Sequence, residues 1–271
     1  MSIKLVAIDM DGTLLNSQKE ISEKNQQVLK EAKKQGVKVV LCTGRPLISV
    51  LSHLETLGLV EEGDYTVTFN GGVIRENASG KVLNQITMSL EDVKEVYQII
   101  DQLGMTADVL SDNYAYTLDG TKGNEPSIYD QLNHFSTFVP KTIHQLTAEM
   151  NFNKVVCSGP VDKITEKLAQ VPANYREKYN VIRSGANLFE FVPKQVSKGN
   201  GLAILGDYLG ITASEMMGLG DEENDLSMIE YTGCGVAMSN GSDIVKEKAQ
   251  YITKTNDEDG VAYAVEKFVL G

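Results

Sequence analysis

Ile3-Lys4-Leu5-Val6-Ala7-Ile8-Asp9-Met10-Asp11-Gly12-Thr13 is a short β-forming run that breaks on two carboxylates and a glycine. Apolar and brief, it reads as a buried parallel strand, with its acids where the strand ends. Residues two apart in extended chain point the same way, so Asp9 and Asp11 can face one ligand. Two carboxylates ~4 Å apart repel by ~4 kcal/mol at an effective dielectric of ~20. Such a pair needs a cation, or a proton on one member. Gly12 lets the chain turn away without steric cost. Taken alone, the stretch reads equally well as an ordinary Asp-Gly turn.

Outward from this stretch the rhythm is β-α-β-α-β. Residues 22–35 have helical spacing, with Ser22 as cap, an apolar stripe of Val28, Leu29 and Ala32, and Gly36 beyond the end. A second strand is expected over 37–42, a helix with Pro46 in its first turn running to about Gly58, and a third strand over Tyr65–Phe69. The pattern returns at the C-terminus. Helices are expected from Ser197 to about Leu209 and over 224–231, 242–249 and 259–269, with strands at Met216–Leu219 and Gly235–Met238. Between them the pattern changes. A helix over about 90–103, opened by a Ser89/Asp92 capping box, is followed by strand-like pieces at 105–110, 114–118, 153–158, 179–183 and 187–192 and helices at 126–133 and 161–169. The fold class is α/β, a Rossmann-like parallel-sheet core with an inserted α+β domain. The expected division is 1–83 plus 191–271 for the core and 84–190 for the insert.

Composition narrows the function. The chain has 271 residues, 42% hydrophobic and 23% charged, which excludes disorder, collagen and coiled coil as its main organisation. With 25 Lys+Arg against 37 Asp+Glu, its net charge is −12. An acidic surface repels nucleic acid and anionic lipid, so neither is an expected partner. Cys42, Cys157 and Cys234 are too few and too scattered for a disulfide framework or zinc site, and the first two read as buried free thiols. The sequence has no apolar run of membrane-spanning length and no secretory pattern at its start, so a reducing cytoplasm is the expected location.

Three more motifs fall at strand ends or helix starts. Thr43-Gly44-Arg45-Pro46 offers a hydroxyl, a glycine N–H and a helix N-terminus, a ready anion site or a plain N-cap. Asn70-Gly71-Gly72 ends the third strand and reads as a turn into Val73–Ile74. Gly220-Asp221-Glu222-Glu223-Asn224-Asp225 places acids at the edge of another strand, as ligands or as helix caps. Lys198 stands in the first turn of a helix, where the macrodipole disfavours a cation, and Gly199 and Gly201 weaken that turn further. It reads as a cation aimed at an anion with no share in folding, or as a solvated surface lysine. In open α/β sheets, ligands bind at this carboxyl edge near the switch point of strand order.

Taken together, Asp9-x-Asp11-Gly12-Thr13, Thr43-Gly44-Arg45-Pro46, Lys198 and Gly220-Asp221-x-x-Asn224-Asp225 resemble the four motifs of the haloacid-dehalogenase superfamily of phosphotransferases. The large insert resembles the type-IIB cap of its Cof-type sugar-phosphate phosphatases. The resemblance implies an Mg2+-dependent phosphatase acting on a small phosphorylated metabolite. Asp9 would attack phosphorus and become an aspartyl-phosphate, and Asp11 would serve as acid and then base. Asp9, Asp11 through its backbone carbonyl, and Asp221 would hold Mg2+. Met10, Thr43, Gly44, Lys198 and Asn224 would bind the phosphoryl group. Asp225 would orient Lys198 or a metal-bound water, with Asn70 and Arg45 in support. Charge counting on this site takes Asp11 as protonated. A phosphomutase on the same fold shares these acids and is the alternative. Polar residues of the insert, Arg183, Ser184, Asn187 and Glu190, are candidates to line the substrate mouth. Neither the substrate nor the oligomeric state is legible.

Overall fold

The opening run forms β1 (Leu5–Ile8), buried at every position as an interior strand must be. The computed structural model describes residues 2–120 and 123–271. The chain continues through α1 (Glu23–Lys34), β2 (Lys38–Cys42), α2 (Leu51–Leu57) and β3 (Tyr65–Thr68). Ser22 caps α1 by accepting the Asn25 N–H, and Val28, Leu29 and Ala32 are its buried stripe. The helix expected from Pro46 does not form as one piece. Leu47–Ser49 makes a 3-10 turn in which the Ser49 N–H and hydroxyl both return to the Pro46 carbonyl, and α2 starts only at Leu51. After β3 come β4 (Val73–Glu76) and β5 (Val82–Gln85), a hairpin that extends the sheet antiparallel.

The insert runs through α3 (Leu90–Gln102), β6 (Ala107–Leu110), β7 (Tyr114–Leu118), α4 (Tyr129–Leu132), β8 (Thr137–Lys141), β9 (Lys154–Ser158), α5 (Val161–Gln170), α6 (Ala173–Lys178), β10 (Tyr179–Gly185) and β11 (Leu188–Pro193). The Ser89/Asp92 capping box is present at the start of α3. Its sheet has the order β10-β11-β9-β6-β7-β8 and is antiparallel except for the β7–β8 pair. Val93, Val96, Ile100, Val109, Val155, Cys157, Phe189 and Phe191 belong to its buried apolar core. The chain then returns through α7 (Lys198–Leu209), β12 (Met216–Gly220), α8 (Leu226–Tyr231), β13 (Cys234–Ala237), α9 (Asp243–Lys248), β14 (Tyr251–Ile252) and α10 (Gly260–Val265).

The first sheet has the order β14-β13-β12-β1-β2-β3-β4-β5. Its first six strands run parallel. From β1 the chain builds outward through β2 and β3, and later from β12 through β13 and β14 in the other direction. The switch point therefore lies between β1 and β12, which pair Leu5 with Met216 through Ile8 with Leu219. Leu5, Ala7, Val40, Val67, Leu202, Leu205 and Met228 are among the buried side chains packed with α7 and α8.

Two compact units result. One comprises Met1–Arg45, Val50–Gln85 and Ser197–Gly271, and the other Pro46–Ser49 with Ile86–Val196. The second division falls later than residue 190 because Phe191–Pro193 complete β11, paired with β10. Among the described residues no helix is long and apolar enough to cross a membrane.

Candidate active site

Asp9 follows the last residue of β1, and its N–H donates to the Leu219 carbonyl across the switch point (3.0 Å). Asp221 follows β12 directly beside it, and Asp225 sits in the next turn. These three carboxylates are buried and offer oxygens within 4.8 Å of one another. The turn holding Asp225 is self-tied: Asp225 Oδ2 accepts the N–H groups of Asp221 (2.9 Å) and Glu222 (3.1 Å). Thr13 donates its hydroxyl to Asp221 Oδ1 (2.7 Å). Gly12 has φ +78°, and a Cβ there would lie 2.3 Å from Asp221 Oδ2, so only glycine lets the loop cross this carboxylate.

Lys198 is the cation of the cluster. Its ammonium reaches Asp9 Oδ1 and Asp225 Oδ1, each at 2.5 Å, and the side chain has no exposed surface. Two glycines explain how a helix start comes so close. A Cβ on Gly201 would fall 2.9 Å from the Gly71 Cα, and one on Gly199 would fall 2.2 Å from the Ser227 carbonyl oxygen. Gly71 in turn lies against the Ser197 carbonyl oxygen, 2.0 Å from where its own Cβ would be. The glycines that weaken α7 as a helix are what let it press against the β3 edge and α8. Lys198 is thus a buried structural cation, which corrects the expectation that it takes no part in folding.

The charges remain unbalanced. Burial pushes the Asp9 carboxyl well above its ordinary value; Lys198 works against this, and Asp225 and Asp221 reinforce it. Burial, with Asp225 nearby, raises Asp221 to about 7. Burial alone would lower Lys198, but Asp225 and Asp9 outweigh it and raise its affinity for its proton. Fully ionised, three carboxylates against one ammonium would carry an excess of negative charge among hard oxygen donors, which adds to burial in raising the proton affinity of Asp9 and Asp221. That donor set fits a divalent cation such as Mg2+. Cys42, beside the cluster, is a thiol raised to about 12 by burial, and it is not a nucleophile at neutral pH.

Asp11 departs from its expected state. Arg45 grips its carboxylate through Nε (2.7 Å) and Nη2 (2.6 Å), and Lys19 adds its ammonium at 3.0 Å. Burial works to raise the Asp11 carboxyl, but these partners overcome it and hold it at about 2. Asp11 is therefore ionised here, not protonated. Its carboxylate lies outside the Asp9–Asp221–Asp225 trio, so only its backbone carbonyl is left as a ligand of the expected kind. Met10 is wholly buried.

At the neighbouring strand ends, Thr43 Oγ1 accepts the Arg45 N–H (3.2 Å), and Asn224 donates to Asn70 Oδ1 (3.1 Å). Phe69, Asn70 and Gly71 all have positive φ (51°, 56° and 98°). This strained turn seats the buried Asn70 against Gly44, where a Cβ would meet Asn70 Oδ1 at 2.9 Å. Thr43, Gly44, Asn70 and Asn224 are thus brought together beside the carboxylates.

A family model for haloacid dehalogenase-like hydrolases matches residues 6–265. The chain belongs to that family. As a haloacid dehalogenase-like hydrolase it falls in the phosphatase class. It is 36% identical over 270 residues to YxeH of Bacillus subtilis (strain 168), covering 98% of each chain. It is 30% identical to the 5-amino-6-(5-phospho-D-ribitylamino)uracil phosphatase YwtE of the same organism, covering 99% of each. A solved haloacid dehalogenase-like hydrolase from Bacteroides thetaiotaomicron superimposes with a TM-score of 0.82 at 31% identity, over 98% of this chain and 99% of that one.

Some residues around this hydrolase's site carry no sequence signal. Lys19 adopts φ +63° and reaches Asp11 from within the loop after β1. Asn240 and Asn256 touch the same loop from more than two hundred residues away. In the insert, Glu190 is buried and paired with Lys154 at 2.6 Å, with Ser184 donating to it at 2.7 Å. Arg183 is bound to the Thr165 hydroxyl and the Ala186 carbonyl, and Asn187 to the Gly159 carbonyl.

Proposed function

We propose that this hydrolase cleaves small phosphomonoesters, sugar phosphates above all, through a covalent phospho-Asp9 and with Mg2+. The observation that carries the reading is the buried Asp9–Asp221–Asp225 trio with Lys198 at the switch point of the sheet. The name of its relative YwtE adds support for the substrate class, since that substrate carries its phosphate on a ribityl chain. Asp9, Asp221 and the Asp11 carbonyl would hold Mg2+, with Asp225 behind them. When bound, the ion offsets the charge that the carboxylates and the phosphoryl oxygens bring together.

In the first step an Asp9 carboxylate oxygen forms a bond to phosphorus and the bond to the ester oxygen breaks. Asp11, released from the Arg45 and Lys19 contacts and protonated by solvent water before the first turnover, gives that proton to the departing oxygen. In the second step water attacks phosphorus, Asp11 takes a proton from it, and the Asp9–phosphorus bond breaks to release orthophosphate. Lys198, Thr43, Gly44 and Asn224 hold the phosphoryl oxygens, Asn70 fixes Asn224, and Asp225 orients Lys198. Such a transfer asks mostly for positioning and charge stabilisation.

Phosphate release from a panel of phosphorylated sugars, nucleotides and cofactors tests this reading, run with Mg2+ and after metal removal. Activity should disappear in EDTA and return with Mg2+. Full activity in a rigorously metal-free sample would falsify it, and conversion of an ester to its isomer without free phosphate would point to a mutase.

A further inference from the structure

The loop between β1 and α1 carries Asp9, Asp11, Gly12, Thr13 and Lys19, and it is fastened twice. From within, the Leu14 N–H returns to the Asp9 carbonyl (3.2 Å) and the Leu15 N–H to the Met10 carbonyl (2.9 Å). From outside, two asparagines grip its far side. Asn240 Nδ2 donates to the Gly12 carbonyl (2.8 Å), and Asn256 Nδ2 donates to the Leu15 carbonyl (2.9 Å). The Asn256 N–H donates to Asn240 Oδ1 (2.9 Å), joining the two into one brace. Asn240 is exposed, where an asparagine ordinarily leaves its amide to water, yet both ends of its amide are engaged with protein.

The brace meets the loop where direction matters. Gly12 is held at φ +78° against Asp221, and the Gly12 carbonyl is the atom that Asn240 takes. Asp11 immediately precedes it and bridges to Leu15, whose carbonyl Asn256 takes. Fixing the Gly12 and Leu15 carbonyls therefore fixes both ends of the short arc that starts at Asp11. Arg45 and Lys19 hold the Asp11 carboxylate by long side chains, which restrain its charge far more than the path of its backbone.

We infer that Asn240 and Asn256 are positioning residues for Asp11, holding its backbone so that its carboxyl meets the departing oxygen. This rests on the reading of Asp11 as proton donor. Small misplacements of such a group can cost up to about a hundredfold in rate.

The leaving group supplies a readout that a merely structural role would not move. Phenoxide departs reluctantly and needs a proton, whereas nitrophenoxide departs well unaided. kcat/KM covers only the steps through first phosphoryl transfer, so slow release of phosphate from Asp9 does not mask the effect. Asn240→Ala should lower kcat/KM for phenyl phosphate about tenfold and for p-nitrophenyl phosphate less than about twofold. Added to Asp11→Asn, it should lower neither further, because both changes act through one group. Asn256→Asp keeps its backbone bond to Asn240 but cannot donate to Leu15. It should show the same bias at smaller size, and it covers the case in which Asn240→Ala fails to fold. Equal losses on both esters in the asparagine variants, with Asp11→Asn still discriminating, would overturn the positioning role. If Asp11→Asn itself does not discriminate, the proton-donor reading falls and the positioning role falls with it.

Discussion

Lys198 stands one residue past the Ser197 cap, yet its side chain has no exposed surface and its ammonium is shared by Asp9 and Asp225. A sequence shows a lysine at an awkward helix position. It does not show that Gly71, Gly199 and Gly201 bring that helix start into contact with the β3 edge and α8. Asp9, Asp11, Thr43, Asp221 and Asn224 were legible because each stands at a strand end or helix start of regular period. Lys19, Asn240 and Asn256 were not, because their partners are set by the loop's path and not by local pattern. The burial of Lys198 changes what its removal should do. Lys198→Met leaves two buried carboxylates without their common cation, a loss of about 3–5 kcal/mol. At roughly 2–4 °C per kcal/mol for a chain of this size, the metal-free protein should melt about 10 °C lower. kcat/KM should fall about a hundredfold or more. Thermal unfolding with the metal removed checks the first, and an unchanged melting temperature would contradict the pairing.

In the insert, β9 alternates between two surroundings. Val155 and Cys157 enter the apolar core, whereas Lys154 pairs with Glu190 of β11, and Ser158 shares a network with Ser127 and Asp108 of β6. The alternation was legible as a strand, but the buried charges were not, since a Lys or Glu in a strand ordinarily reads as solvent-facing. β8 escaped the reading because it is a half-exposed strand interrupted by Pro140, which its place at the sheet edge tolerates. Burial raises the Asp108 carboxyl from its ordinary 3.8 to about 6, against the hydroxyls of Ser127 and Thr117 that donate to it. The folded state thus holds this proton more tightly than the unfolded chain does. Its stabilising effect is complete below the ordinary carboxyl range and is lost as pH rises through about 6. Every tenfold gain in proton affinity on folding is worth about 1.4 kcal/mol. Asp108→Asn cannot titrate, so its melting temperature relative to the unmutated protein should be more favourable at pH 7.5 than at pH 4.5. The same difference at both values would show that Asp108 does not titrate in this range.

Across the whole chain, the site is a consequence of strand order. A sheet built outward from β1 in one direction and from β12 in the other leaves adjacent strands whose following residues, Asp9 and Asp221, must lie side by side. The α/β class and the β-α-β alternation from β1 to β3 follow from apolar period and caps and were legible before the fold, whereas β8, β14 and α6 were not. Asn70-Gly71-Gly72 was legible as the turn from β3 into β4, but β5 was not legible, since it is short and partly exposed. Everything proposed for catalysis passes through one covalent species on Asp9. Incubating the Asp11→Asn and Asp9→Asn variants with p-nitrophenyl phosphate and Mg2+, then quenching in acid for mass spectrometry, tests it most directly. An adduct of ~80 Da, the mass of a phosphoryl group, should accumulate in Asp11→Asn, where water attack has lost its base, and be absent in Asp9→Asn. An adduct that persists in Asp9→Asn, or that maps to Asp11 in the unmutated enzyme, would contradict Asp9 as the nucleophile.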